Sequence, residues 1–103
     1  MTIDKALEDG KLTITVNGRL DTITAPRLQE VLIPSIDEAK QIELDFKGLS
    51  YMSSAGLRVL LMGQKTASAK GVLFSICSVS EEVMEVLEIT GFVDILNINL
   101  GNV

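Results

Sequence analysis

Apolar and polar residues alternate along two separate stretches of the chain. In residues 11–17, leucine, isoleucine and valine take every second position, with threonine between them. Residues 41–46 repeat this alternation with Ile42, Leu44 and Phe46. Because successive side chains of a strand point to opposite faces of its sheet, both stretches are predicted to be strands with one buried face. Residues 17–18, Asn-Gly, mark a break after the first strand, and a brief extension is expected over residues 19–21.

Three further strands are predicted from weaker patterns. Residues 3–8 form a weak strand, and the turn signal Asp9-Gly10 after it predicts a hairpin with the following strand. Residues 72–79 are apolar on both sides for part of their length, which is typical of an interior strand. A final short strand is predicted within residues 93–100.

The first helix is predicted to begin near Pro26, with Thr22 and Thr24 available as caps. Pro34 removes a hydrogen-bond donor and clashes with the preceding turn. We therefore expect a kink or an early end near Ile33, followed by a second short turn over residues 37–39.

Two later helices carry clearer boundaries. Residues 54–69 place Leu57, Leu60 and Leu61 on one helical face, and Lys70-Gly71 ends the helix. Another helix begins at the predicted cap Ser80 and stops at Gly91.

The resulting order, ββ-αβ-αβ-αβ, predicts a single α/β domain over residues 1–103. Alternating strands and helices favour parallel pairing, so we expect a mixed, mostly parallel sheet with an N-terminal antiparallel hairpin. Since two strands have one polar face, the helices should lie mainly on one side of the sheet.

Composition excludes several classes of function. The 103 residues carry a net charge of −5, which disfavours nucleic-acid binding and docking to anionic membranes. The chain has no histidine, so His-dependent catalysis and His metal sites are absent. No apolar stretch is long enough to span a membrane, and no cofactor motif occurs. The single cysteine, Cys77, fits a reducing cytoplasm and is expected to be a buried structural thiol.

Candidate chemistry is concentrated where the strand at residues 41–46 gives way to the next helix. Ser53 and Ser54 stand just before an apolar periodic run, so either can be the N-cap. A helix start presents unsatisfied N–H groups and the positive end of a dipole, which favour an anion. A phosphate on a serine at this point is therefore electrostatically tolerated.

Residues 52–58, Met-Ser-Ser-Ala-Gly-Leu-Arg, resemble the phosphorylation motif of STAS domains, specifically of bacterial anti-sigma factor antagonists. The resemblance covers nearly the whole chain and implies the STAS β–α superhelix. It also implies a cytoplasmic binding module that sequesters an anti-sigma serine kinase of ATPase fold and so releases a sigma factor. Phosphorylation by that kinase would switch the module off, and a serine phosphatase would reset it.

By the same resemblance, Ser54 matches the phosphorylated serine, and Ser53 replaces an acidic residue that is usual in the family. We favour Ser53 as the cap and Ser54 as the phosphate acceptor, with Ser53 as the alternative acceptor. A merely capping role for Ser54 remains open. Asp21 matches an aspartate that lies near the phosphoserine in these antagonists, although it could equally cap the first helix.

Four more residues are candidates for partner contact. Tyr51 and Met52 are expected in an exposed loop over residues 47–53, although core packing suits Met52 as well. Gly56 would permit close backbone approach or simply fill a small space. Arg58, one turn after Ser54, could pair with a phosphate or an acidic partner, or be only solvated.

Two other functions are alternatives to the switchable antagonist. The chain could be a constitutive STAS subunit of a lipid-transport or stress-signalling complex, in which case both serines would only cap. An enzyme is not expected, because the acidic pairs of the sequence read as solvated helix faces.

Overall fold

The computed structural model describes residues 1–99 as a six-stranded sheet with three α-helices. Two short 3-10 turns, Ile36–Glu38 and Phe92–Asp94, follow the first and third helices. The elements in chain order are β1 Thr2–Glu8, β2 Lys11–Leu20, α1 Ala25–Ser35, β3 Gln41–Asp45, β4 Leu49–Met52, α2 Ser54–Lys70, β5 Leu73–Cys77, α3 Glu81–Ile89 and β6 Ile98–Asn99.

The sheet has the strand order β1-β2-β3-β5-β6, and β4 pairs with β2 beyond the end of β3. β1 and β2 are antiparallel, and every other pairing is parallel. The predicted α/β class, the mixed sheet and the N-terminal hairpin are therefore confirmed. β1, predicted as a weak strand, pairs over its full length with β2.

One face of the sheet forms the core. Leu12, Ile14 and Val16 of β2 are buried, whereas Thr13 and Thr15 on the opposite face are partly exposed. The same alternation runs along β3. The three helices contribute their apolar residues to the same buried cluster, including Leu28, Leu32, Leu57, Leu60, Val83 and Leu87. This agrees with helices lying mainly on one side of the sheet.

Two strand boundaries differ from the prediction. β2 continues through the predicted break at residues 17–18, and the brief extension expected over residues 19–21 is part of the same strand as far as Leu20. Gly18 adopts a φ of +99°, and the ladder shifts register after it. The segment predicted as a loop over residues 47–53 contains β4, which pairs with the extension of β2. The extension of β2 and its pairing with β4 together position the start of α2, because β4 leads directly into that helix.

The first helix also runs further than expected. α1 begins with Pro26 in its first turn, as predicted, but it contains Pro34 and ends at Ser35 rather than near Ile33. The missing donor of Pro34 falls in the last turn, where the chain passes into a 3-10 turn. The ends of α2 and α3 follow the prediction: Gly71 and Gly91 both adopt left-handed conformations.

The C-terminal elements bring two smaller differences. β5 spans Leu73–Cys77, shorter than the predicted 72–79, and Cys77 at its end is only partly buried. β6 falls inside the predicted window of 93–100, of which Leu100 lies outside the described residues. Burial of the Cys77 thiol is the largest cause that raises its pKa, followed by the nearby charge of Glu43. The thiol is therefore protonated at neutral pH and is not activated.

Candidate modification and partner site at the start of α2

The junction of β4 and α2 is held to the end of β2 by backbone. The N–H of Ser53 donates to the carbonyl oxygen of Leu20 over 2.9 Å. Ser53 has extended backbone angles and is the N-cap, and Ser54 is the first residue of α2. The first helical hydrogen bond runs from the N–H of Leu57 to the carbonyl of Ser53, so the amides of residues 54–56 precede it. Ser54 is exposed, as the hypothesis of a phosphate acceptor requires.

Ser53 was expected to cap the helix and Ser54 to accept the phosphate. The backbone agrees, since Ser53 is the N-cap residue and Ser54 begins α2, but the side chain of Ser53 does not. The side chain of Ser53 caps no amide of α2. Its hydroxyl oxygen is buried and has no hydrogen-bond partner within residues 1–99. The helix start therefore keeps its unsatisfied amides and its positive dipole end uncapped by a side chain. A buried hydroxyl is also a poor alternative acceptor for a phosphate, which leaves Ser54 as the accessible one.

Met52 and Gly56, two of the predicted partner-binding residues, are buried beneath the surface of the molecule. Met52 is 3% exposed, which agrees with core packing and is contrary to a role as an exposed loop anchor. A Cβ built on Gly56 would lie 2.8 Å from Cγ of Leu20 and 3.2 Å from Cγ of Met52. Gly56 thus lets side chains, not another backbone, approach the first turn of α2. Both residues position the site and neither forms its surface.

Asp21 organises the turn between β2 and α1. Its Oδ1 accepts hydrogen bonds from the N–H groups of Ile23 and Thr24, each 3.0 Å long, and from the Thr24 hydroxyl at 3.1 Å. The backbone hydrogen bond from Thr24 is the largest cause that lowers the Asp21 pKa, and nearby Arg19 also lowers it. The geometry favours the local role of Asp21, which holds a turn immediately beside Ser53.

An aromatic–cation pair flanks this turn. The guanidinium of Arg19 lies over the ring of Tyr51, 4.1 Å from its centroid, and Tyr51 is 41% exposed. Both residues belong to the paired ends of β2 and β4. Tyr51 is therefore exposed, as predicted, but on a strand instead of a loop.

Ile23 is a surface residue that the sequence analysis missed. It sits in the turn held by Asp21 and is 83% exposed. Its exposure makes this apolar side chain available for contact with a partner. A sequence signal existed, because Ile23 is the only apolar residue between Leu20 and Ala25 and stands in a polar turn.

Arg58 lies on the exposed side of α2, one turn beyond Ser54. It borders a shallow groove of about 200 Å³ between α1 and α2, whose other walls include Pro26, Gln29 and Val59. Within residues 1–99, Arg58 takes part in no ion pair. Its positive charge is thus available to a phosphate on Ser54 or to another molecule.

Residues 1–99 lack two further kinds of feature. Across the described part of the chain, no three acidic or cysteine side chains come together in an arrangement that could hold a metal ion. None of the helices in residues 1–99 combines the length and apolar character needed to cross a bilayer.

Comparison with known proteins gives this arrangement its context. The family model of the STAS domain matches residues 2–101. The chain is 31% identical to the anti-sigma-B factor antagonist of Staphylococcus aureus (strain NCTC 8325 / PS 47), over 98% of this chain and 94% of that protein. The name of that relative describes antagonism of an anti-sigma factor, in agreement with the expectation that this chain is not an enzyme.

Solved structures show the same fold at lower identity. An anti-sigma factor antagonist from Mycobacterium paratuberculosis superposes with a TM-score of 0.89 at 20% identity, covering 98% of this chain and 86% of that one. Unphosphorylated SpoIIAA, an anti-sigma factor antagonist, gives 0.80 at 17% identity over 97% and 90% of the two chains. Phosphorylated SpoIIAA, described as a Bacillus cell fate determinant, gives 0.73 at 16% identity over 97% and 93%. With the family match spanning almost the whole chain, the protein belongs to the STAS domain family.

Proposed function

We propose that this protein is an anti-sigma factor antagonist of the cytoplasm, switched by phosphorylation of Ser54. In the unmodified state it binds an anti-sigma factor that is also a serine kinase of ATPase fold, and a sigma factor is released. The observation that carries the proposal is the 31% identity to an anti-sigma-B factor antagonist over 98% of this chain. A fold neighbour known in phosphorylated and unphosphorylated forms is consistent with it.

The geometry around Ser54 supports the modification step. Its hydroxyl belongs to an exposed first residue of a 17-residue helix, ahead of the first helical hydrogen bond. In the step, the γ-phosphoryl group of ATP is transferred to Oγ, the hydroxyl proton passes to a base of the kinase, and ADP leaves. Uncapped amides and the dipole of α2 stabilise the new phosphate, so phosphorylation does not unfold the helix.

The same step explains how binding is lost. The segments that adjoin Ser54 carry exposed groups that can contact a partner: Ile23, Tyr51 and Arg58. A phosphate adds about −1.5 to −2 charges at neutral pH. Placed inside a closely packed interface, it costs desolvation and repels acidic groups of the partner. A serine phosphatase that removes the phosphate restores binding.

The test is phosphorylation by a cognate anti-sigma kinase, which is to be sought first among the genes neighbouring this one. The purified chain is incubated with that kinase and ATP, and the intact mass and the modified peptide are measured. We expect one phosphate on wild type, none on Ser54→Ala, and one on Ser53→Ala, the matched neighbour. Labelling of Ser54→Ala to the same extent as wild type would contradict the proposed site.

Binding is measured in parallel by titration calorimetry. Ser54→Asp is expected to weaken the complex with the kinase at least about tenfold relative to wild type, since burial of an added charge is costly. The alternative of a constitutive STAS subunit predicts no phosphate in cells and co-purification with membrane ATPase subunits. Equal binding of wild type and Ser54→Asp to the kinase would contradict the proposed switch.

A further inference from the structure

The charge of α2 is opposite to that of the molecule as a whole. The chain has a net charge of −5, yet α2 contains Arg58, Lys65 and Lys70 and no aspartate or glutamate. Acidic residues are common in the rest of the chain, and α3 begins with two glutamates. A basic helix on an acidic protein is an electrostatic feature that a partner can recognise.

Two of these three cations have no ion-pair partner among the described residues. Lys70 pairs with Asp37. Within residues 1–99, neither Arg58 nor Lys65 is in an ion pair. Arg58, Leu61, Met62 and Lys65 together line a shallow groove of about 250 Å³. Leu61 and Met62 are partly exposed between the two cations. We call these four residues the α2 stripe.

The α2 stripe starts one turn after Ser54. Positions 58, 61, 62 and 65 are four, seven, eight and eleven residues beyond position 54, the spacing of side chains on one side of a helix. The proposed modification site and the stripe are therefore continuous along α2.

We propose that the α2 stripe is a docking surface for an acidic segment of the anti-sigma factor that also carries apolar side chains. This inference rests on the proposed function and extends it to a second region of the same interface. Carboxylates of the segment pair with Arg58 and Lys65, and its apolar side chains cover Leu61 and Met62. A nucleic acid is a poor occupant, because two cations on an acidic chain do not form a basic footprint.

Phosphorylation then acts on the stripe as well as at Ser54. The added charge of about −1.5 to −2 lies one turn from Arg58 and offsets the positive charge at that end of the stripe. Arg58 is within one turn of the phosphate and can pair with it. The acidic segment consequently meets a less positive surface after phosphorylation, and its electrostatic attraction to the stripe is weakened at the Arg58 end.

The test compares two charge reversals of equal size. Lys65→Glu changes the stripe, whereas Lys40→Glu makes the same change in net charge beside Gly10, at the end of the sheet where β3 begins. Affinity for the purified anti-sigma kinase is measured by calorimetry at low and high salt, and thermal unfolding confirms that both variants are folded. We expect Lys65→Glu to weaken binding about tenfold at low salt and much less at high salt. Lys40→Glu should stay within about twofold of wild type.

Each result decides a different question when Ser54→Asp is measured beside these variants. Equal affinities of Lys65→Glu and Lys40→Glu, with Ser54→Asp still weakened, would overturn the docking surface and leave the phosphorylation switch intact. A weakened Lys65→Glu with an unaffected Ser54→Asp would support the docking surface and contradict the switch. Cosedimentation of wild type with phosphatidylserine vesicles, lost in Lys65→Glu, would overturn the assignment in favour of a membrane surface. A wild-type chain that does not bind the kinase would overturn both proposals.

Discussion

Gly56 faces Leu20 so closely that a Cβ at position 56 would lie 2.8 Å from Cγ of Leu20. Cγ is the branch point of a fully buried side chain, so it cannot swing away as a methyl group can. This contact fixes the distance between the first turn of α2 and the end of β2, and with it the position of Ser54.

Gly56→Ala is therefore expected to destabilise the protein by about 1–2 kcal/mol, since overpacking outweighs the gain in helix propensity. Gly63→Ala is the matched control in the same helix, where the closest atom is a terminal methyl of Leu32 at 2.7 Å. That methyl can move more easily, so the loss should be smaller. Urea denaturation of both variants measures the difference, and a Gly56→Ala protein as stable as wild type would contradict the packing argument.

Ser53→Ala should not behave as the loss of an N-cap. The Ser53 hydroxyl is buried without a partner among residues 1–99, and removal of an unsatisfied polar group is neutral or stabilising by up to about 1 kcal/mol. Ser80 offers the comparison, because its hydroxyl accepts a hydrogen bond from the N–H of Val83 at 3.3 Å. Ser80→Ala is expected to cost about 1 kcal/mol. Denaturation midpoints that fall equally for both variants would show that Ser53 does cap its helix.

Asp21→Asn should make stability depend less on pH in the acidic range. Folding lowers the pKa of Asp21 through its hydrogen bond from the backbone of Thr24. The carboxylate thus contributes stability that is fully present above its unfolded pKa and is lost as pH falls through the lowered folded pKa. Wild type should exceed Asp21→Asn in stability at neutral pH, and the two should converge on acidification. Thermal unfolding as a function of pH measures this.

Asp4→Asn is the control for that experiment, since it removes an exposed carboxylate on β1. Its stability should follow that of wild type throughout the acidic range. A gap between wild type and Asp21→Asn that stays constant down to low pH would instead mean that the substitution acts through packing.

The Arg19–Tyr51 pair should be worth a measurable coupling free energy. A double-mutant cycle with Arg19→Ala and Tyr51→Ala is expected to give about 0.5–1 kcal/mol, the usual range for an exposed cation–π contact. Strictly additive losses in urea denaturation would show that the 4.1 Å stacking contributes nothing to stability. The same variants report on the proposed interface, because Tyr51 is exposed and lies three residues before Ser54.

Much of the fold was predictable because local patterns carry it. Strict alternation marked β2 and β3, helical spacing marked α2, and glycines with left-handed backbone ended α2 and α3. The position of Ser54 as the first helical residue followed in the same way. These features are determined by residues close together in the sequence, so local sequence patterns are sufficient to predict them.

Other features depended on contacts between distant segments. β4 is a strand only because the extension of β2 beyond Gly18 supplies its hydrogen-bond partner. The burial of Met52 and the tight fit of Gly56 likewise arise where β4 and α2 meet Leu20. The periodicity of apolar residues within a segment does not determine which other segment pairs with it, because strand pairing depends on the packing of the whole sheet. For that reason the sequence alone was sufficient to predict that Ser54 begins a helix. Only the tertiary structure showed which neighbouring side chains are buried beneath Ser54 and which are exposed at the surface.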